Sequence, residues 1–81
     1  MPRFLVERHY AEQFELSAEG MALVVDYEQV NDITWLSSFL SADKKKSYCL
    51  YEVDDIDILR KHASDLGLPL DAIVEITEIV R

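Results

Sequence analysis

The sequence predicts a small α+β domain in which four strands form one antiparallel sheet and two helices cover one face of it. Four segments show the alternation and the β-branched and aromatic content that are typical of strands. Two further segments repeat apolar residues every three to four positions, the period of an amphipathic helix. With 81 residues, the chain is expected to form a single domain, residues 1–81.

The first strand is predicted at residues 3–10, where successive side chains point to opposite faces of the sheet. A polar link leads to the first helix, which is predicted to begin with Ser17 as its N-cap and to end near residue 30. The spacing of one helical face predicts that its apolar stripe consists of Leu16, Gly20, Leu23, Tyr27 and Val30, and Val24 widens this stripe.

The centre of the chain predicts two strands, at residues 33–40 and 46–53, joined by a charged loop of three to five residues within 41–45. This region contains the only tryptophan and the only cysteine of the chain. Regular alternation along the first of these strands places Trp35 and Phe39 on the same face.

The second helix is predicted at residues 54–66, with Asp54 or Asp55 as its N-cap. Gly67 is expected to end this helix in the left-handed conformation, because Pro69 follows soon after it. The apolar stripe of the helix is Ile56, Leu59, Ala63 and Leu66, and the fourth strand is predicted at residues 73–80.

The resulting order is strand, helix, strand, strand, helix, strand, which is the split βαβ or ferredoxin-like arrangement (βαββαβ). A different α+β order is the alternative if the weakly marked start of the first helix is misread. The strands carry apolar residues on both faces, whereas two helices can cover only one. We therefore expect a homodimer that buries the open face, since monomers rarely expose such a patch.

Composition excludes several classes of function. The formal net charge of −8 argues against binding to nucleic acid and to anionic membranes. No apolar run approaches the ~20 residues that span a bilayer, and the N-terminus shows no signal-peptide pattern. One cysteine cannot form a disulfide within the chain. The expected location is the cytoplasm.

Four residues are candidate metal ligands: Cys49, His62, His9 and Glu7. Thiolate and imidazole favour late first-row metal ions such as nickel. Each also has a structural interpretation, because a lone cysteine is often a small buried apolar residue and a carboxylate often pairs with arginine. No H-x-x-x-H, C-x-x-C or H-E-x-x-H motif is present, so the fold or a dimer interface would have to assemble any site. If Tyr48 and Leu50 faced the helices, Cys49 would point away from His62.

The sequence resembles a family of small bacterial nickel-binding proteins with a ferredoxin-like fold. The resemblance rests on five segments, namely MPRFLVERH at the N-terminus, WLSSF from Trp35, YCLYE from Tyr48, RKHA from Arg60 and GLPLDAIVEI from Gly67. It implies a dimeric α+β barrel and, in at least one branch of the family, bound nickel. His62 matches the family's helix histidine, and His9 lies where some members keep a histidine. The chain departs from the family in lacking Pro-Gly after the first strand and in having Ser37 where some members have histidine.

Two classes of function follow. The first is a metal-binding protein for nickel storage, sensing or buffering. The alternative is a metal-free dimeric α+β barrel that binds or transforms a small organic molecule in a cavity between the sheet and its partner. The sequence contains no Ser–His–Asp or Cys–His–Asn order and no Gly-rich phosphate loop, and it leaves open whether the protein is an enzyme.

Overall fold

A computed structural model describes residues 1–79 and confirms the predicted order of elements. None of the helices in this part of the chain is long and apolar enough to cross a bilayer. The fourth strand ends at residue 76, earlier than predicted, and the predicted strand end at residue 80 lies outside the described residues. The elements are β1 (Arg3–His9), α1 (Ala18–Val30), β2 (Thr34–Leu40), β3 (Lys46–Glu52), α2 (Ile56–Leu66) and β4 (Ala72–Ile76).

The four strands form one antiparallel sheet in the order β2-β3-β1-β4, which is ferredoxin-like. The two helices contact each other through the Tyr27 hydroxyl, which donates to Asp65 Oδ2 at 2.6 Å. A second contact joins Glu28 of α1 to His62 of α2 at 2.9 Å. Helices that touch in this way lie on the same face of the sheet, so the predicted fold is confirmed.

The strand register decides which side chains face the helices. In the β1–β3 pair, Phe4 lies opposite Tyr51 and Val6 opposite Cys49. All four are buried in the core, at 7% exposure or less. Leu50 therefore points to the open face. Cys49 and His62 therefore lie on the same, helix-covered side of the sheet, and not on opposite sides.

A bulge in β2 changes the predicted pattern of that strand. Trp35 lies opposite Tyr51 but Ser37 lies opposite Leu50, so one extra residue is inserted between them. Trp35 consequently packs beside Tyr51, with ring centroids 6.4 Å apart. Phe39 falls on the open face and is 63% exposed. The prediction that Trp35 and Phe39 share a face was wrong, because regular alternation does not anticipate a bulge.

The buried face of α1 also differs from the prediction. Leu23 and Val30 were expected in the apolar stripe, but they are 67% and 82% exposed. The inward face carries the predicted Tyr27 and Val24 together with the buried Glu28, which was not predicted. A hydrophobic pattern could not find this face, since an acidic residue occupies it.

The ends of the helices follow the predicted capping. Ser17 Oγ accepts from the backbone N–H of Gly20 at 3.0 Å, and Asp55 Oδ1 accepts from that of Asp57 at 2.9 Å. Gly67 ends α2 with a φ of 66°, in the left-handed region that glycine enters without steric strain. The chain can therefore turn directly from α2 towards β4.

Replacing Gly67 with alanine is expected to lower the free energy of unfolding by about 1–2 kcal/mol. A Cβ atom at this position would meet no atom within 4 Å, so the loss is conformational and not a clash. Gly67→Asn is the matched control, because asparagine tolerates the left-handed region and should lose less. Urea denaturation of the three proteins measures this difference, and equal stability of all three would contradict it.

Candidate functional site

The sheet divides the four candidate ligands into two pairs. Glu7 and His9 lie on the open face of β1, and their side chains contact each other. Cys49 and His62 lie on the helix-covered side, where both are buried. In the described residues 1–79, no group of three or more His, Cys, Asp or Glu side chains could hold a metal ion. A single chain thus presents two partial sets of donors.

The open-face pair lies at the end of β1. His9 Nε2 is 2.8 Å from Glu7 Oε2, and the two side chains are 46% and 36% exposed. Asp71 fixes this strand end, because its carboxylate accepts from the backbone N–H of His9 at 2.5 Å and its own N–H donates to the Glu7 carbonyl at 3.0 Å. An imidazole and a carboxylate are therefore held together on an accessible surface, and both are common metal ligands.

His62 is fully buried between the two helices and the sheet. Its Nε2 is 2.9 Å from Glu28 Oε2, and its ring lies 5.6 Å from that of Tyr27 and 5.5 Å from that of Tyr51. Its Nδ1 is buried and has no hydrogen-bond partner among the described residues. Sequence analysis missed Glu28. The only indication that Glu28 faces inward was its position four residues after Val24, on the same face of the helix.

A cavity of about 220 Å³ lies on the helix side of the sheet. Its lining is mostly apolar and includes the rings of Tyr10, Phe14, Trp35 and Tyr51, together with Cys49. The alternative function anticipated a cavity between the sheet and a partner subunit. The cavity found here is on the opposite face and within one chain.

The link after β1 forms one wall of this cavity. The rings of Tyr10 and Phe14 stack with centroids 4.5 Å apart, and the Tyr10 hydroxyl is 2.7 Å from Ser47 Oγ. The backbone N–H groups of Tyr10 and Phe14 donate to the carbonyls of Lys45 and Lys44, both at 2.7 Å. This segment is thereby attached to the β2–β3 loop and places two aromatic rings over the sheet.

Arg8 is the second candidate residue that sequence analysis missed. It is 2% exposed and lines the cavity. Its Nη1 donates to the Pro69 carbonyl at 2.7 Å, whereas its buried Nη2 has no hydrogen-bond partner in the described part of the chain. Burying a cation with incomplete pairing is unfavourable, so this side chain is a candidate for binding an anion. Burial, and then the neighbouring Cys49, raise the pKa of the Tyr51 hydroxyl well above its ordinary value, whereas the charge of Arg8 and a side-chain hydrogen bond from Arg8 oppose the shift.

Comparison with known proteins identifies a family model and a solved structure that match most of the chain. A family model described as "Nickel responsive protein SCO4226-like" matches residues 4–76. The chain also resembles the crystal structure of SCO4226 from Streptomyces coelicolor A3(2), with a TM-score of 0.72 at 12% sequence identity. That match covers 96% of this chain and 99% of the other, and at this identity it establishes the fold. No curated protein matches the chain.

Proposed function

The chain belongs to the SCO4226-like family of nickel-responsive proteins, and on that premise we propose that it binds nickel in a storage, sensing or buffering role. The observation that carries the proposal is the contact between His9 Nε2 and Glu7 Oε2 on an accessible strand end. Nickel accepts nitrogen and oxygen ligands and binds them more tightly than cobalt or iron does. The proposed location is the cytoplasm, where the free Cys49 would remain reduced.

The proposed site is completed by a second copy of the chain. A two-fold dimer brings the same surface patch of each subunit to the interface, so two His9–Glu7 pairs could supply four ligands. The open face of the sheet supports such a contact. It presents Leu50 in the middle of β3, with the exposed Phe39 (63%) and Val74 (53%) on its outer strands. Covering this face would remove an apolar surface from water.

Cys49 and His62 form the alternative ligand pair within the same proposal. Metal bound there would use His62 Nδ1, the ring nitrogen without a hydrogen-bond partner, and the Cys49 thiolate. Both residues are buried, so the ion would have to enter between the helices and the sheet. The open-face pair needs no such movement, and we therefore place the metal at Glu7 and His9.

Calorimetry and native mass spectrometry with nickel test the proposal. We expect His9→Ala and Glu7→Gln to weaken nickel binding at least about tenfold, a loss of roughly 1.4 kcal/mol. Cys49→Ala is the matched control and should bind nickel as the wild type does; His62 is left unchanged, because its removal would leave Glu28 buried without a partner. Loss of binding in this control alone would move the site to the buried pair. If every protein binds nickel equally, or none binds it, the metal proposal fails.

The pH dependence of nickel affinity provides a further check. Nickel competes with a proton for the imidazole of His9, because only the neutral ring can coordinate a metal ion. We therefore expect the affinity to fall as the pH is lowered from neutral into the acidic range, with protons released on binding at neutral pH. Calorimetry in buffers of different ionisation enthalpy measures that release, and pH-independent binding would contradict a histidine ligand.

A further inference from the structure

We propose that the cavity on the helix side of the sheet binds a small aromatic monocarboxylate, whose carboxylate pairs with Arg8. This site is separate from the proposed nickel site, because it lies on the opposite face of the sheet and uses no metal. The proposal rests on three features of the cavity: a buried cation with an unpaired donor, aromatic walls and a small volume.

The cation determines the charge of the ligand. Arg8 is the one ionised side chain at neutral pH among the described residues that line the cavity, since no Asp, Glu or Lys takes part in its lining. Its guanidinium is a planar fork that pairs with a carboxylate through two parallel hydrogen bonds. Nη1 is held by the Pro69 carbonyl, which fixes the direction of the fork and leaves the buried Nη2 free to donate.

Glu28 is a buried acidic residue that acts electrostatically on Tyr51 and is therefore to be considered as an internal partner of Arg8. Its carboxylate contacts His62 at 2.9 Å and does not line the cavity. A tyrosine hydroxyl is protonated at neutral pH at its ordinary pKa, and burial raises the pKa of Tyr51 further. Tyr51 can therefore serve as a second donor to a bound anion beside Arg8.

The walls of the cavity determine the shape and size of the part of the ligand that carries the carboxylate. The aromatic residues of the lining are Tyr10, Phe14, Trp35, Phe39 and Tyr51, and most of the others are aliphatic. Aromatic walls favour a flat ring, which they contact by stacking or by edge-to-face packing. A volume of about 220 Å³ is below the roughly 300–1,000 Å³ of pockets for drug-sized ligands, so the ligand is expected to have a single ring.

Fluorescence of Trp35, the only tryptophan of the chain, reports directly on this cavity. Metal-free protein in EDTA is titrated with phenylacetate, with its neutral isostere phenylacetamide and with acetate. We expect phenylacetate to bind at least tenfold more tightly than phenylacetamide, and acetate to bind still more weakly because it lacks the ring. Equal binding of the acid and the amide, or no binding of phenylacetate at millimolar concentration, would overturn the proposal.

Substitution of Arg8 gives an independent measurement. Arg8→Met should abolish the preference for the acid over the amide, whereas Arg3→Met, an exposed change on the same strand, should preserve it. If Arg8→Met does not fold, the ligand series on the wild type decides the question. Adding nickel should leave phenylacetate binding unchanged, so this proposal and the metal proposal can fail separately.

Discussion

Replacing Tyr51 with lysine is expected to unfold the protein, whereas the same change at Leu50, the preceding residue, is expected to leave it folded and to separate the dimer. The two residues lie next to each other in β3 but on opposite faces of the sheet. Tyr51 is 3% exposed and packs against Trp35 and His62. Leu50 is half-buried on the open face, where we place the partner subunit.

The size of the stability loss expected in Tyr51→Lys follows from the buried position of Tyr51. Losing a buried aromatic ring alone costs about 3–5 kcal/mol. A lysine there would add a second cation beside Arg8, and an unpaired buried charge costs several kcal/mol more. The whole domain is stabilised by only about 5–15 kcal/mol. Lysine is a sharper choice than aspartate, because an aspartate at this position could pair with the free Nη2 of Arg8.

Circular dichroism and light scattering separate the two effects. Tyr51→Lys should lose its cooperative unfolding transition, whereas Leu50→Lys should retain helix and strand signals and show the mass of a monomer. A wild-type protein that is already monomeric at micromolar concentration would contradict the proposed dimer. A folded Tyr51→Lys variant would contradict the assigned sheet register.

The fold could be predicted from the sequence because its signals are local. The αL glycine at Gly67 and the N-caps at Ser17 and Asp55 each depend on a few neighbouring residues, and each appears where the sequence places it. The order of strand and helix periods then selects one arrangement among few. The ferredoxin-like fold follows from these features without any knowledge of long-range contacts.

The candidate sites depend on long-range contacts, which explains why sequence analysis found only part of them. Glu28 and Arg8 have the appearance of solvent-exposed residues, because an isolated charged side chain in a helix or strand is normally solvated. Each becomes recognisable only through a partner far along the chain: Glu28 through His62 and Arg8 through Pro69. By contrast, His9 and Glu7 are two residues apart on one strand, and strand geometry is sufficient to bring them together.

Removing either member of the buried Glu28–His62 pair is expected to be more damaging than removing both. His62→Leu would leave the Glu28 carboxylate buried without its partner, which costs about 3–5 kcal/mol. Glu28→Met would leave both nitrogens of the buried His62 ring unpaired, at a cost of about 1–3 kcal/mol. The double variant replaces both polar groups with apolar ones of similar size and should recover most of the stability, since such replacements are often neutral.

Urea denaturation of the wild type, the two single variants and the double variant measures the coupling free energy between the two residues. The matched control is the Asp57–Arg60 pair, which has a similar contact distance of 2.6 Å but side chains that are 74% and 57% exposed. Asp57→Asn and Arg60→Gln should show a coupling of less than about 1 kcal/mol, because solvent screens exposed pairs. The contrary result for Glu28 and His62 would be additivity: the losses of unfolding free energy in the two single variants would sum to the loss in the double variant. In that case the contact does not stabilise the fold, and each residue matters only through its own packing.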